Sequence, residues 1–274
     1  MKKLFSFLFI MFFSCVSIES RFPYKVCFGI STLKNIRGLN AKSCYPNQDR
    51  ALVKGKDGKC FFGVFDGHGK DGADISEYVS ENFFQSLLET RRLSLAAETM
   101  QKNLDKDGKA QLSGTTAIVG LLDERLLTIG NIGDSRLLYV RDNKILFTTK
   151  DHKLSDEKEI ERIYDNGGWI EGHYVMTEFS RGLAMTRSLG DVLAHTNNIV
   201  SADPTLYQVH VQPGDKMVIA SDGLWDVLTN KDVLYIINEF SGVTSLKTVA
   251  EHLVKYARIL NSKDDITVIC TLVE

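Results

Sequence analysis

The chain has 274 residues, 43% of them hydrophobic, with a formal charge of −2, which suffices for one large domain or two small ones with a substantial core. Near-balanced charge without a basic run excludes a nucleic-acid footprint. Only four prolines leave little room for a long disordered linker.

The N-terminal stretch MKKLFSFLFIMFFSCVSIES places Lys2 and Lys3 before an apolar run from Leu4 to about Val16, followed by small and polar residues. This is the three-part pattern of a secretory signal peptide over residues 1–20, with cleavage expected near Ser17 or Ser20. The apolar run falls short of the about 20 residues a membrane span needs. The expectation is therefore a protein of the secretory pathway or the exterior, without a stable span once the leader is removed; an uncleaved anchor is the alternative. Cleavage removes Cys15 and leaves Cys27, Cys44, Cys60 and Cys270, an even number that permits disulfides in an oxidising compartment. Cys60 and Cys270 sit inside apolar runs, where a thiol behaves as a small buried hydrophobe. Free thiols are the default reading, with a Cys27–Cys44 bridge left open, and no cysteine pair has metal-ligand spacing.

Residues 22–274 read as one domain. RALVKG and CFFGVFDG form two strands joined by a Lys-Asp-Gly-Lys hairpin turn. A helix follows, with Ile75, Tyr78, Val79, Phe83 and Leu87 on one stripe. From residue 113 the period shortens: TAIVGLL, RLLTIGNIGDSRLLYVRD and ILFTTKDH form a meander of strands with two-residue polar turns. A short helix near SDEKEIERIYDNGG is expected to start with a capping box of Asp156 and Glu159. It places Ile160, Ile163 and Tyr164 on one face and ends at Gly167-Gly168. DKMVIASDG is a further strand ending in an acid. Helices follow near 231–240 and 245–260, and DDITVICTLV closes the chain as a strand. Antiparallel runs with helices grouped in pairs predict an α+β architecture rather than a doubly wound parallel sheet.

Four acids lie at the edges of these apolar runs: Asp66, Asp134, Asp222 and Asp264. A strand edge fixes a carboxylate while leaving it open to water and ligand. Taken singly, Asp-Gly is a turn signal far more often than a metal ligand. Four acids gathered in space would repel one another by several kcal/mol, and a divalent cation relieves that repulsion. Oxygen donors without paired histidines or cysteines select Mg²⁺ or Mn²⁺ over zinc.

The segments VFDGHGKDGA, LSGTTAIVGLL, IGNIGDSRLLYV, TTKDHK, GLAMTRSLGD, VIASDGLWDVLTN and SKDDITVIC occur in order from about residue 26 to the end. In order and approximate spacing they resemble the metal-dependent serine/threonine protein phosphatases of type 2C. The resemblance implies two antiparallel β-sheets packed as a sandwich and flanked by pairs of α-helices, in four layers α-β-β-α. It also implies hydrolysis of phosphoserine and phosphothreonine in phosphoprotein substrates by a hydroxide bridging two Mg²⁺ or Mn²⁺ ions, with a third, weaker ion nearby. Asp66, with the carbonyl of Gly67, resembles the pair that holds the bridged ions, and Asp222 and Asp264 resemble the other carboxylates. Asp264 takes this role rather than Asp265 because it begins the D-[DN]-x-[ST]-V pattern. Asp134 and Asp191 resemble acids of the third ion, Asp49 the aspartate of the opening acidic motif, and His68 the acid that protonates the leaving group.

The opening motif departs from the family. CYPNQDR has Cys44 where an arginine often grips the phosphate, and Gln48 replaces a glutamate. Arg37 and Lys42 are the substitutes considered for phosphate binding, at a spacing that does not match. His152 reads as a loop hydrogen-bonder rather than a second acid, Trp225 as packing beneath the Asp222 turn, and Arg187 as an ion-pair partner or a phosphate contact. Residues 155–186 match the variable flap beside the family's site. A monomer is expected. The alternatives are a binding protein that retains the fold with impaired turnover, and a two-metal nuclease, which would need a basic groove that this chain lacks.

Overall fold

The structure, a computed structural model, describes residues 15–19, 25–35, 46–240 and 244–274. Arg37, Lys42 and Cys44, with most of the expected leader, lie outside the described residues. In chain order the first elements are β1 (Cys15–Glu19), β2 (Lys25–Leu33), β3 (Asp49–Lys56), β4 (Lys59–His68), α1 (Gly72–Thr90) and α2 (Leu93–Leu104). Then come β5 (Gly114–Thr115), β6 (Ala117–Asp123), β7 (Leu126–Ile132), β8 (Arg136–Arg141) and β9 (Lys144–Thr148). The flap contains α3 (Glu157–Asp165), β10 (Trp169–Glu171), β11 (Tyr174–Met176) and β12 (Arg181–Leu183). The chain continues through β13 (Leu189–Gly190), β14 (Thr205–His210), β15 (Lys216–Ala220), α4 (Asp222–Trp225), α5 (Asn230–Phe240), α6 (Leu246–Ile259) and β16 (Ile266–Val273).

Two large antiparallel sheets form the centre. One has the order β1-β2-β16-β15-β8-β9; the other runs β13-β5-β4-β6-β7-β14, with β3 paired to β4. Strand β4 is buried on both faces, which explains its unbroken apolar sequence. Its Phe61 and Phe65 pack with Ile75, Val79 and Phe83 of α1 and with Ala97 and Met100 of α2. Its Phe62 and Val64 point the other way, into the space between the sheets, against Phe28, Leu137 and Ile219. On the far side of the first sheet, Val218 and Val268 pack against Val233 of α5 and Leu253 of α6. The result is the four-layer α-β-β-α sandwich.

The hairpin turn sets the first piece of the site. Asp57 (φ 54°) and Gly58 (φ 78°) are both left-handed, the conformation of a type I′ turn, whose twist matches the flanking strands. A two-residue turn pairs Lys56 with Lys59, and the ladder then brings Asp49 opposite Asp66.

Several local expectations change. The sequence reading assigns no element after the α1 stripe until residue 113, yet α2 fills that interval with Leu93, Ala96, Ala97, Met100 and Leu104 inward. Tyr78 and Tyr164, expected on buried stripes, are exposed. No capping box forms at α3: the Asp156 side chain accepts from the Lys158 N–H, and Glu159 turns inward to arginines. Residues 15–19 of the expected leader form β1, antiparallel to β2. Cys60 and Cys270 are buried thiols and Cys27 bridges neither of them; burial pushes the Cys60 thiol up to about 12. Among the described residues no helix is long and apolar enough to cross a membrane.

Candidate metal centre

Acids from five places in the chain meet at one end of the sandwich. Asp66 leaves β4 and Asp49 enters β3 directly opposite it. Asp134 sits in the turn between β7 and β8, and Asp264 lies two residues before β16. Asp222, expected at a strand tip, instead opens the one-turn helix α4. This helix is pressed onto the chain entering β16: a Cβ at Gly223 would lie 1.9 Å from the Asp265 carbonyl oxygen. Trp225 packs below, its Nε1–H donating to the Ala220 carbonyl at 2.9 Å with the Arg136 guanidinium 5.0 Å above the ring.

The electrostatics show the convergence. Burial holds the Asp66 carboxyl well above the ordinary carboxylate range, and Asp49, Asp222, Asp134 and Asp264 push it further in that order. Asp222 is raised in the same way, by burial and then by Asp134, Asp226 and Asp264. Asp49, 5% exposed, is raised to about 7 by burial and by Asp265. Like charges crowded in a low-dielectric site disfavour ionisation, a repulsion that a divalent cation among them would relieve.

The residues present fit a hard divalent ion. The donors are carboxylate oxygens, and two of them, Asp49 Oδ1 and Asp134 Oδ1, are buried with no hydrogen-bond partner among the described residues. The other Asp49 oxygen accepts from Ser221 Oγ at 2.7 Å, which fixes its rotamer. Among the described residues no three His, Cys, Asp or Glu side chains close a cage by themselves. An ion held here would draw part of its ligand set from water, as Mg²⁺ does when bound through one or two carboxylates.

The neighbouring acids Asp264 and Asp265 differ in their contacts. Asp265 is 4% exposed and is used as a strut: its oxygens accept the N–H groups of Asn35 at 2.7 Å and Gln48 at 2.9 Å. Asp264 contributes to the field at Asp66, Asp222 and Asp49. Gln48 is structural as well. Its amide donates to the Gly69 carbonyl at 2.8 Å, and its own carbonyl accepts from Gly67 N–H at 3.1 Å and Ser76 Oγ at 2.5 Å. Gly67 itself is crowded, since a Cβ there would lie 2.3 Å from the Gly72 oxygen.

Two residues that the sequence reading missed belong to this cluster. Lys153 Nζ lies 3.1 Å from Asp226 Oδ1 and 3.4 Å from Asp134 Oδ2, and these acids, after burial opposes them, raise its ammonium above the usual lysine range. Asp226 follows Asp222 by four residues, one helical turn on, and this spacing in DGLWD is the signal that could have found it. Asp134, Lys153, Asp222, Asp226 and the flap residue His173 line a cavity of about 420 Å³.

Asp191, expected among the acids of a third ion, is bonded to a histidine and a serine. Its strongest partners are His68 and Ser188, and it contributes no leading share to the field at Asp66 or Asp222. His68 Nε2 lies 2.6 Å from Asp191 Oδ2. Burial lowers the affinity of this imidazole for a proton, but Asp191 outweighs it and the net shift is upward. Both residues line a second cavity, of about 530 Å³, together with Phe179 of the flap. A cavity of about 440 Å³ between α5, α6 and the first sheet shares no residue with either.

His152 and Arg187 are occupied elsewhere. His152 Nδ1 accepts from Gly133 N–H at 3.1 Å and Nε2 pairs with Thr205 Oγ1 at 2.8 Å; burial, then Arg187, lowers its pKa to about 4. Arg187 grips Glu159 and donates to the Asp203 carbonyl at 2.7 Å.

Residues 37–266 match the family model described as protein phosphatase 2C. This chain belongs to the protein phosphatase 2C family. It is 33% identical over 221 residues to probable protein phosphatase 2C 11 of Arabidopsis thaliana, covering 76% of this chain and 57% of the relative. It is 33% identical over 205 residues to protein phosphatase 1L of Bos taurus, covering 65% and 54%. The chain thus spans little more than half the length of these two relatives. Among solved structures, a phosphatase from a pathogenic strain of Toxoplasma gondii superposes with a TM-score of 0.79 at 20% identity, over 93% of this chain and 94% of that one. A sex determining protein of C. elegans superposes at 0.73 with 25% identity, over 89% and 64%. Protein phosphatases 2C depend in general on Mg²⁺ or Mn²⁺, in keeping with the oxygen-only donor set found here.

Proposed function

We propose that this protein hydrolyses phosphoserine and phosphothreonine monoesters in phosphoprotein substrates, in dependence on Mg²⁺ or Mn²⁺. The reading rests on one observation: Asp66, paired across the β3–β4 ladder with Asp49 and two residues before His68, is a buried carboxyl on which Asp49, Asp222, Asp134 and Asp264 all act. Asp66 with Gly67, Asp222 and Asp264 would hold a pair of ions, Asp134 and Asp226 a third, and Asp49 supports them from beneath. When bound, the ions supply the Lewis acidity that activates water and neutralises phosphate charge.

The chain's own residues do the remaining work. The alkoxide of serine or threonine leaves poorly, so the departing oxygen needs a proton, which His68 donates. The flap over residues 155–186 brings Phe179 and His173 to the two cavities and meets the protein substrate. We further propose that the leader directs the chain into the secretory pathway, where it meets its substrates as a monomer.

The test is release of inorganic phosphate from a phosphothreonine peptide, with Mn²⁺ and with excess chelator. Metal-dependent release that vanishes in Asp222→Asn supports the reading. A folded protein that binds the peptide but releases no phosphate at any Mn²⁺ concentration refutes it in favour of a binding protein that has kept the fold.

A further inference from the structure

The flap turn between β11 and β12 is fastened at its base and bare at its tip. The buried Thr177 hydroxyl oxygen accepts the N–H groups of Phe179 at 3.2 Å and Ser180 at 2.9 Å, and the Thr177 N–H donates to the Ser180 carbonyl at 2.8 Å. A threonine oxygen that takes nearby backbone N–H groups fixes a turn. Glu178 and Phe179 are thereby held outward, and Phe179 is 53% exposed.

Across the cavity stands Leu112, 58% exposed, just after the short 3₁₀ turn Gly108–Gln111. Its backbone is pressed against the loop that follows His68: a Cβ at Gly69 would lie 2.6 Å from the Leu112 carbonyl oxygen. The cavity of about 530 Å³ is therefore one space that joins His68 to Leu112, Leu183, Glu178 and Phe179. Its width is about 8 Å, the reach of two or three extended residues at about 3.3 Å each.

The walls are largely apolar, and none of the described residues lining them is a lysine or arginine. Of the two carboxylates there, Asp191 is bonded to His68 and Ser188. Glu178 is exposed and forms no hydrogen bond or ion pair with another described residue. The flap as a whole repeats this sign: residues 155–186 carry seven acidic and three basic residues, although the complete chain is near balance. An apolar slot ending in an aromatic face and an unpaired carboxylate suits a side chain with an aliphatic stem and a cationic head. Arginine suits it best, because a guanidinium stacks on an aromatic ring and also pairs with a carboxylate. A neutral residue would leave Glu178 unpaired, and an acidic one would be repelled.

Building on the reading of the acid cluster as a phosphatase centre, we propose that this cavity selects the substrate. It receives an arginine or lysine that lies within about three residues of the phosphorylated serine or threonine. The stem of that side chain lies between Leu112 and Phe179, and its head pairs with Glu178, the specificity-determining residue. The substrates are phosphoproteins whose phosphorylated site has a basic neighbour.

The experiment uses phosphothreonine peptides of one parent sequence, with arginine, alanine or glutamate placed in turn at each of the three positions on either side of the phosphothreonine. Phosphate release with Mn²⁺ gives kcat/KM, and fluorescence anisotropy of the labelled peptides gives binding. At one position or more, arginine is expected to raise kcat/KM over alanine by roughly 5- to 10-fold, mainly through KM, and glutamate to lower it. Glu178→Arg should reverse the order, so that the glutamate peptide becomes the better substrate. Phe179→Ala should cut the arginine preference by roughly threefold. Equal kcat/KM for all three peptides at every position, or an arginine preference that survives Glu178→Arg, overturns the proposal. A small aryl phosphate has no flanking residues, so its hydrolysis by the wild type reads the centre alone. Aryl phosphate turnover beside indifferent peptides would refute the subsite and leave the phosphatase reading intact. If no substrate is hydrolysed, the phosphatase reading fails, and anisotropy still decides the subsite by the arginine-over-glutamate order and its reversal in Glu178→Arg.

Discussion

Replacing Glu159 by glutamine removes the charge at the centre of the network that ties the flap helix to the core. Glu159 is 3% exposed. It accepts from Arg187, from Arg162 at 2.6 Å and from Thr186 Oγ1 at 2.7 Å. Arg162 continues the network to the carbonyls of Thr186 and Asn198, each at 2.8 Å. Burial alone would raise the Glu159 carboxyl, but the hydrogen bonds from Arg187, Thr186 and Arg162 outweigh it and bring the pKa from 4.5 down to about 2. At about 1.4 kcal/mol per unit, this shift corresponds to about 3 kcal/mol, near the low end of the about 3–5 kcal/mol lost when one partner of a buried pair is removed. A depressed folded-state pKa stabilises above the unfolded value and is lost as pH falls through the folded one. The Glu159 contribution is therefore complete at pH 7 and declines below pH 4.5 towards pH 2. Urea unfolding of wild type and Glu159→Gln at pH 7 should differ by about 3 kcal/mol, and at about pH 3.5 by about 2 kcal/mol. A difference below about 1 kcal/mol at pH 7, within the range of an exposed pair, would refute the reasoning, as would one that does not shrink in acid.

The crowded acids predict a trade between stability and metal response. In chelator, Asp222→Asn should melt higher than wild type by a few degrees, at about 2–4 °C per kcal/mol, because one of the repelling carboxylates is gone; the rise in melting temperature that Mn²⁺ gives wild type should vanish. A melt in chelator no higher than wild type's would count against the repulsion. Lys153→Met removes the ammonium held between Asp134 and Asp226, so titration calorimetry should show Mn²⁺ binding tightened by roughly tenfold, equivalent to about 1.4 kcal/mol; an unchanged isotherm would show that the lysine does not compete. Gly114→Ala forces a methyl onto the Asp191 carboxylate. It should cost about 1–3 kcal/mol in urea unfolding and reduce peptide turnover more than aryl phosphate turnover. Equal loss on both substrates would mean that His68 keeps its orientation.

What could be read from the sequence was local, or was amplified by a local constraint. The Asp57-Gly58 turn determines a register, and that register alone puts Asp49 opposite Asp66. α1 announces itself through large apolar residues at helical spacing. By contrast, α2 buries two alanines among its inward positions and begins after Arg92 without a side-chain cap, so both its stripe and its start are faint. Glu159 satisfies the letter of a capping box, but two arginines and a threonine brought in by the fold outbid the backbone N–H. The acids at run edges could be recognised as candidates, and the order of the seven segments indicated which of them belong together. Asp191 could not be placed in this way. Its partner is 123 residues earlier in the chain, and only the alignment of β4, β5 and β13 brings it to an imidazole.

The contact at Gly223 has a consequence for how the centre can change. Because bare backbone there abuts the Asp265 carbonyl, the backbone spacing between the segments that carry Asp222 and Asp264 is set by the close approach of two peptide chains. Substitutions along the flap can therefore redraw what the protein grips while the spacing offered to cations stays constant. Any side chain at Gly223 would push those two segments apart.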